Sequence, residues 1–196
     1  MSTAVLMLRA VHWPLFAAGC AVVAALNAVL GAIELPVPVP NTGEVDVPLG
    51  LFSPLLLACG IGLHVKSPTR LWDTSPRPRW PVRAGWATAA FLPAVLACTP
   101  LLLHGGPLWA AGVRNVLGLG GMALLTAVAA GATRSWMVPF PYVLAALLLG
   151  TAGPEPHSWW AFAVHDASDA RGAALALALL CTGVTAFVIR GARPEH

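Results

Sequence analysis

The sequence predicts an all-α, polytopic transmembrane helical bundle of about six spans, and three observations predict it. The 196-residue chain is 58% apolar and only 10% charged, with a mean hydropathy of +0.76, whereas soluble globules usually carry about 25% charged residues. Apolar runs of roughly the ~17 to 25 residues needed to cross ~30 Å of hydrocarbon recur along it. Runs such as ALLTAVAAGA and AALALALLCTGV lack the apolar-polar alternation of a membrane β-strand, which argues against a closed barrel. The chain reads as a single membrane domain, 1–196.

The spans fall near 12–33, 50–65, 87–105, 113–132, 137–153 and 173–190. The first, HWPLFAAGCAVVAALNAVLGAI, continues without a polar region or small-residue cleavage site, so it reads as a span and not as a cleaved signal. The preceding MSTAVLMLRAV places Ala4, Leu8 and Val11 on one face of a short surface helix, with Leu6 and Met7 off the stripe. A simple extension of the first span fits it equally well. The second span follows the Leu49-Gly50 turn and carries Pro54, and the fifth opens MVPFPYV. Both are short for a full crossing, and their prolines, lacking a backbone donor, call for tilting, kinking or re-entry among neighbouring helices. In the fourth, Gly112, Gly118, Gly120 and Gly121, with Ala123 beyond, are the small residues that let membrane helices approach closely. Cys20, Cys59, Cys98 and Cys181 all fall within spans, form no CxxC pair and read as packed thiols.

Lys and Arg are retained on the cytoplasmic side during insertion, which fixes an expected orientation. With the N-terminus inside, that side receives Arg9, Lys66, Arg70, Arg77, Arg79, Arg83, Arg134, Arg190 and Arg193. Only Arg114 and Arg171 fall outside. The acidic residues divide the other way, with Glu34, Glu44, Asp46, Glu155, Asp166 and Asp169 outside against Asp73 and Glu195 inside. Both termini are expected to be cytoplasmic, in a multi-pass protein of the plasma membrane.

The loops differ in character. The cytoplasmic loop 66–86 interleaves its five basic residues with Trp72, Trp80 and Trp86, and TRLWDTS could make one helical turn before the rigid SPRPRWP. It serves either as a topological lock drawn to anionic headgroups or as a docking knob, since Trp and Arg favour interface centres. Outside, the four-proline segment ELPVPVPNTGEVDVPLG, Glu34 to Gly50, reads as an extended, polyproline-like linker or lid. The outer aromatic loop 154–172 contains SWWAFAV, too short to span. It predicts an interfacial helix or re-entrant hairpin, with Trp159, Trp160 and Phe162 as its apolar face and the tryptophans at headgroup depth.

Ionisable residues buried in spans usually mark function, and this sequence offers few. His12, His64 and His104 sit near expected span ends, where a neutral histidine is an ordinary interfacial residue. His165, Asp166 and Asp169 could bind metal but lack a spacing such as HExxH, so a solvated loop is the expectation and no metal is assigned. The pair Arg114-Asn115, at the outer start of the fourth span, is the best candidate for a buried polar pair, against the ordinary alternative of snorkelling to the headgroups. There is no GxxxxGK[ST] loop and no GxGxxG after a strand. No catalytic residue, cofactor or nucleic-acid site is assigned.

A six-span chain without its own energy source, with a basic-aromatic loop between spans two and three and an aromatic hairpin before span six, resembles the membrane subunits of ABC-2 type exporters. The segments RNVLGLGGMALLTAVAAGATRSWMVPFPYVLAALLLG and WWAFAVHDASDARGAALALALLCTGVTAFVIRGAR are similar to the C-terminal halves of actinobacterial membrane proteins of that general kind. The resemblance covers most of the chain in layout and rests on no strict motif. It implies an amphipathic helix before span one, short re-entrant helices before span six, and a coupling helix at TRLWDT, Thr69 to Thr74. Arg70, Leu71, Trp72 and Asp73 would then contact a separate ATP-binding subunit. It also implies a second membrane subunit, membrane lipids as neighbours, and a hydrophobic or amphipathic substrate. The competing expectation is a non-transporting scaffold, accessory or immunity subunit that binds a partner protein. A membrane enzyme built on His165 and Asp166 ranks last, for want of a nucleophile and supporting groups.

Overall fold

Inside hydrocarbon a helix is the simplest segment that satisfies its own backbone, and the long apolar runs have folded accordingly. The computed structural model describes residues 13–39, 43–65, 80–150 and 160–193. The amphipathic stretch 1–11, the coupling residues Arg70, Leu71, Trp72 and Asp73, and Trp159 lie outside them. Among the described residues there are six α-helices: α1 Trp13–Leu30, α2 Ser53–His64, α3 Trp80–Leu96, α4 Gly106–Ala130, α5 Pro139–Leu149 and α6 Ala170–Arg190. Counting their flanking 3-10 turns, five apolar helical stretches are long enough to cross a bilayer, and Leu49–His64 is a shorter sixth. At ~1.5 Å per residue this sixth stretch is ~24 Å long, less than the ~30 Å hydrocarbon core.

Helix α4 is the axis of the bundle. Its residues Val116, Leu119, Leu124 and Ala127 are buried, together with Ile61 of α2, Ala90 and Ala94 of α3 and Phe187 of α6. The closest approach is to α6, where Gly121 and Gly183 face each other. A Cβ built at Gly183 would stand 2.3 Å from the Gly121 carbonyl oxygen, and one at Gly121 would stand 2.4 Å from that of Leu179. Three other α4 glycines accept side chains: Leu101 at Gly112, Phe162 at Gly118, and Phe91 with Ile61 at Gly120. Large apolar side chains on the outer faces remain exposed, among them Leu15, Val22 and Val29 of α1, Leu92 of α3 and Leu177 of α6. In water such faces would mark association sites; in a bilayer they are the solvent contact.

Two helices begin earlier than their hydropathy indicates. α3 is already helical at Trp80, and α4 starts at Gly106, with Pro107 in its first turn. Proline is suited to that position because the missing N–H would have had no helical partner. Pro93 lies inside α3, which ends three residues on, and a 3-10 turn Thr99–His104 completes the stretch. Asn27 of α1, buried, donates its side-chain amide to the Ala97 carbonyl at 2.9 Å. His104 Nε2 donates to the carbonyls of Asn27 and Ala28 at 3.0 and 3.1 Å. Irregular backbone persists in this part of the bundle because side chains of the facing helix satisfy it.

The segment expected to be polyproline-like is instead an antiparallel β-hairpin. Strand β1, Glu34–Val39, pairs with β2, Gly43–Pro48, in the register Glu34 to Pro48 through Val39 to Gly43. The prolines of β1 recur at every second position, so their absent N–H groups can all face the unpaired edge. The intervening Leu35 and Val37 share a face with Val47, which is buried. That face packs toward Val143 and Leu147 of α5 and the buried Phe162. Leu35 and Val37 alternate with Pro36 and Pro38, which is the period of a strand.

The hairpin marks one end of the bundle, which also carries Glu34, Glu44, Asp46, Asp166 and Asp169. Arg83, Arg134, Arg190 and Arg193 gather at the opposite end, where Arg83 donates to Val188 and Ile189 carbonyls and Arg193 to that of Ala129. These are the hairpin end and the basic end below.

Candidate functional site at the hairpin end

The early start of α4 at Gly106 sets Arg114 about two turns inside the helix, ~12 Å from its first residue. At that depth Arg114 is only 7% exposed and Asn115 wholly buried. Arg114 therefore does not snorkel. Its guanidinium donates from Nη1 to the Asp166 carbonyl and from Nη2 to that of His165, each at 2.7 Å, and from Nε to Asn115 Oδ1 at 3.2 Å. The Asn115 amide donates in turn to the Ala163 carbonyl at 2.7 Å. From α5, the Tyr142 hydroxyl donates to the Trp160 carbonyl at 2.8 Å.

These donors all serve the segment 160–169. Its 3-10 turn, Phe162–Val164, drives the Phe162 ring fully into the bundle. There the ring meets Gly118 and stacks on Tyr142 with centroids 5.2 Å apart and planes at 24°. Trp160 meets the other side of Tyr142 edge-on at 6.4 Å. The segment is a plug packed into the end of the bundle, held by three donor side chains and sealed by one aromatic ring.

Asp169 fastens the plug to α6. As the N-cap of that helix its carboxylate accepts from the Arg171 and Gly172 amides at 3.2 and 2.9 Å, and it also bonds the His165 ring through Nδ1. Gly172 leaves room for both neighbours, since a Cβ there would stand 3.3 Å from His165 Nδ1 and 3.5 Å from Arg114 Nη1. The His165 hydrogen bond, followed by those from the helix N-terminus, holds the Asp169 carboxyl at about 2, below its ordinary 3.8. A depressed pKa means that the ionised cap stabilises the fold above pH ~4 and is lost as pH falls through ~2. Asp169→Asn should therefore melt at lower temperature than wild type near neutral pH, with the gap closing as pH approaches 2. A gap that persisted at pH 2 would overturn this assignment.

A second polar centre lies toward the basic end. His64, at the end of α2, is buried against Phe16, stacked with centroids 4.7 Å apart, and against Trp13 and Trp86 at 5.2 and 5.7 Å. Among the described residues neither ring nitrogen has a hydrogen-bond partner, and the buried Ser135 hydroxyl also lacks one. His64 is thus a core residue and not the interfacial one its place near a span end predicted. Replacing it by phenylalanine removes two unmet polar atoms and keeps the ring, so His64→Phe should leave the melting temperature unchanged or raise it. A fall of several degrees in a detergent melt would contradict that.

The plug joins Arg114 and Asn115 to His165, Asp166 and Asp169, about fifty positions apart in sequence. Among the described residues no three His, Cys, Asp or Glu side chains gather as a metal site. Cys20 and Cys98 are buried, Cys59 is partly so, and Cys181 is exposed on the outer face of α6, unlike the packed thiol expected there. Sequence reasoning missed Tyr142 and Gly172, and read Gly118 as a helix-packing glycine without its role as the notch for Phe162. That Tyr142 is the chain's single tyrosine was the one available signal.

Five crossing helices, a shorter sixth and a polar plug at one end define an all-α polytopic membrane protein. No family model, curated protein or solved structure matches the chain.

Proposed function

We propose that the protein is the membrane-spanning subunit of an ATP-driven exporter of the ABC-2 kind, in the plasma membrane with both termini cytoplasmic. The observation that supports this best is the plug. It folds back into the bundle immediately before the last helix, where the resemblance calls for re-entrant elements. The clustering of Arg83, Arg134, Arg190 and Arg193 at one end supports the orientation, because cytoplasmic loops are the basic ones.

In this reading a separate ATPase docks through Arg70, Leu71, Trp72 and Asp73. Its closure on ATP, transmitted through α2 and α3, shifts the balance between two packings of this chain and a second membrane subunit, moving a hydrophobic or amphipathic substrate. Capture of the protein from native membranes in mild detergent should bring down an ATP-binding chain. The R70A/W72A/D73A variant should lose it, and the reconstituted pair should show altered ATP turnover. If no candidate ATPase changes its turnover in the presence of this protein, transport is abandoned.

A second reading, a non-transporting scaffold, accessory or immunity subunit, is favoured by one observation. Arg114, Asn115 and Tyr142 all spend their donors on the plug's own backbone, a fixed assembly and not a surface turned toward a substrate. It predicts that only membrane proteins co-purify and that changes at Trp72 and Asp73 alter no ATPase.

A further inference from the structure

The hairpin has two edges, and they are not alike. Leu49, just past β2, donates its amide to the Ile33 carbonyl at 2.8 Å, and in the register that sets Leu35 against Val47 this bond fixes the alternation of the ladder. Leu35, Val37 and Val39 therefore bond Val47, Val45 and Gly43, while the residues between them turn their backbone groups away from the facing strand. On β1, which lies beside α5, these outward positions include Pro36 and Pro38, so that edge lacks their donors. On β2 they include Glu44 and Asp46. Each keeps an N–H and a C=O pointing outward, and among the described residues nothing bonds them.

The side chains along this edge are acidic. Glu44 and Asp46, both exposed, stand on the face opposite the buried Val47, and exposed Glu34 shares that face across the ladder. The segment Glu34 to Gly50 contains no Lys or Arg. Two copies of the chain paired edge to edge about Val45 would set Glu44 against Asp46 twice, and like charges directly opposite destabilise a strand pair. A strand with Lys or Arg at alternate positions would instead place a cation opposite each carboxylate.

We propose that the β2 edge is a docking site for an extended basic segment of a partner protein, which adds to the hairpin as a third, antiparallel strand. The backbone of Glu44 and Asp46 supplies the hydrogen bonds, and their carboxylates select a basic segment over a second copy of this chain. Prolines close the β1 edge to the same event.

The test uses the full chain in an uncharged detergent and a fluorescein-labelled KTKTKTK peptide, read by fluorescence anisotropy. Binding should saturate, and ETETETE should show none. KTKTKTK methylated on its lysine backbone amides keeps every charge but loses the donors that meet β2, and should bind at least about tenfold more weakly. Glu44→Gln with Asp46→Asn should weaken the unmodified peptide about tenfold, through loss of two cross-strand charge pairs. Asp46→Pro removes an outward amide alone, as Pro36 does directly opposite, and should abolish binding with the hairpin intact. The methylated peptide leaves the protein untouched, so it decides the matter even where that variant fails to fold. Equal binding of the methylated peptide or of ETETETE would overturn the proposal, as would the absence of saturable binding by KTKTKTK. So would a dimer of the full chain that Asp46→Pro dissociates, because the edge would then hold a second copy.

Discussion

Gly183→Ala should lower the melting temperature of the detergent-solubilised protein, and Gly183→Leu should prevent a monodisperse fold from being recovered. A Cβ at this position would stand 2.3 Å from a backbone oxygen of α4 and 2.9 Å from the Gly121 Cα. Backbone cannot rotate away as a side chain can, so the two helices must separate. Overpacking a tight interior typically costs about 1–3 kcal/mol, and here separation also loosens the Phe162 seal beside the crossing. Gly→Ala inside a helix ordinarily gains up to about 1 kcal/mol through backbone entropy. Gly19, on the exposed face of α1 with nothing within 4 Å of a built Cβ, is the control. Gly19→Ala should be neutral or stabilising. Opposite signs at the two positions, read by size-exclusion after heating, would establish the α4–α6 crossing; equal signs would refute it.

Arg114→Met should destabilise the protein by about 3 kcal/mol and release the plug. The variant keeps an unbranched apolar stem but leaves the carbonyls of His165 and Asp166 without their charged donor, and a buried acceptor stripped of its partner costs about 1–3 kcal/mol. Desolvation recovered from the missing guanidinium offsets part of this sum. Arg114→Lys should fall between the two, because an ammonium cannot reproduce a fork that serves three acceptors in fixed directions. The release can be seen separately from stability. In a background without native cysteines, a thiol introduced by Ala163→Cys, at a buried position, should resist a membrane-impermeant maleimide. Adding Arg114→Met should make it react. If the thiol stays protected while stability falls, Arg114 acts on the bundle and not on the plug.

Much of the architecture was legible because a bilayer leaves a chain few choices. Six apolar runs gave six apolar helical stretches, and the segregation of basic residues along the sequence reappears as one basic end. The errors have local causes. The hairpin was missed because proline argues against a strand only where its N–H is needed, and a two-stranded ribbon has an edge on both strands. The start of α4 was placed late because hydropathy registers where a run becomes apolar, whereas Pro107 marks where the helix turns begin. That shift alone decides whether Arg114 lies at an interface or in the interior.

By itself, then, the sequence determined that this is a helical membrane protein, roughly where it crosses, and which end is basic, since each follows from the cost of placing charge or bare backbone in hydrocarbon. The site was decided by tertiary structure alone. Arg114 and Asn115 needed the carbonyls of a turn some fifty residues away, Gly121 needed Gly183 on a different helix, and Phe162 needed the notch at Gly118. Hydropathy and motif spacing describe how a segment meets its solvent, and no property of a segment taken alone records which distant backbone will come to satisfy it.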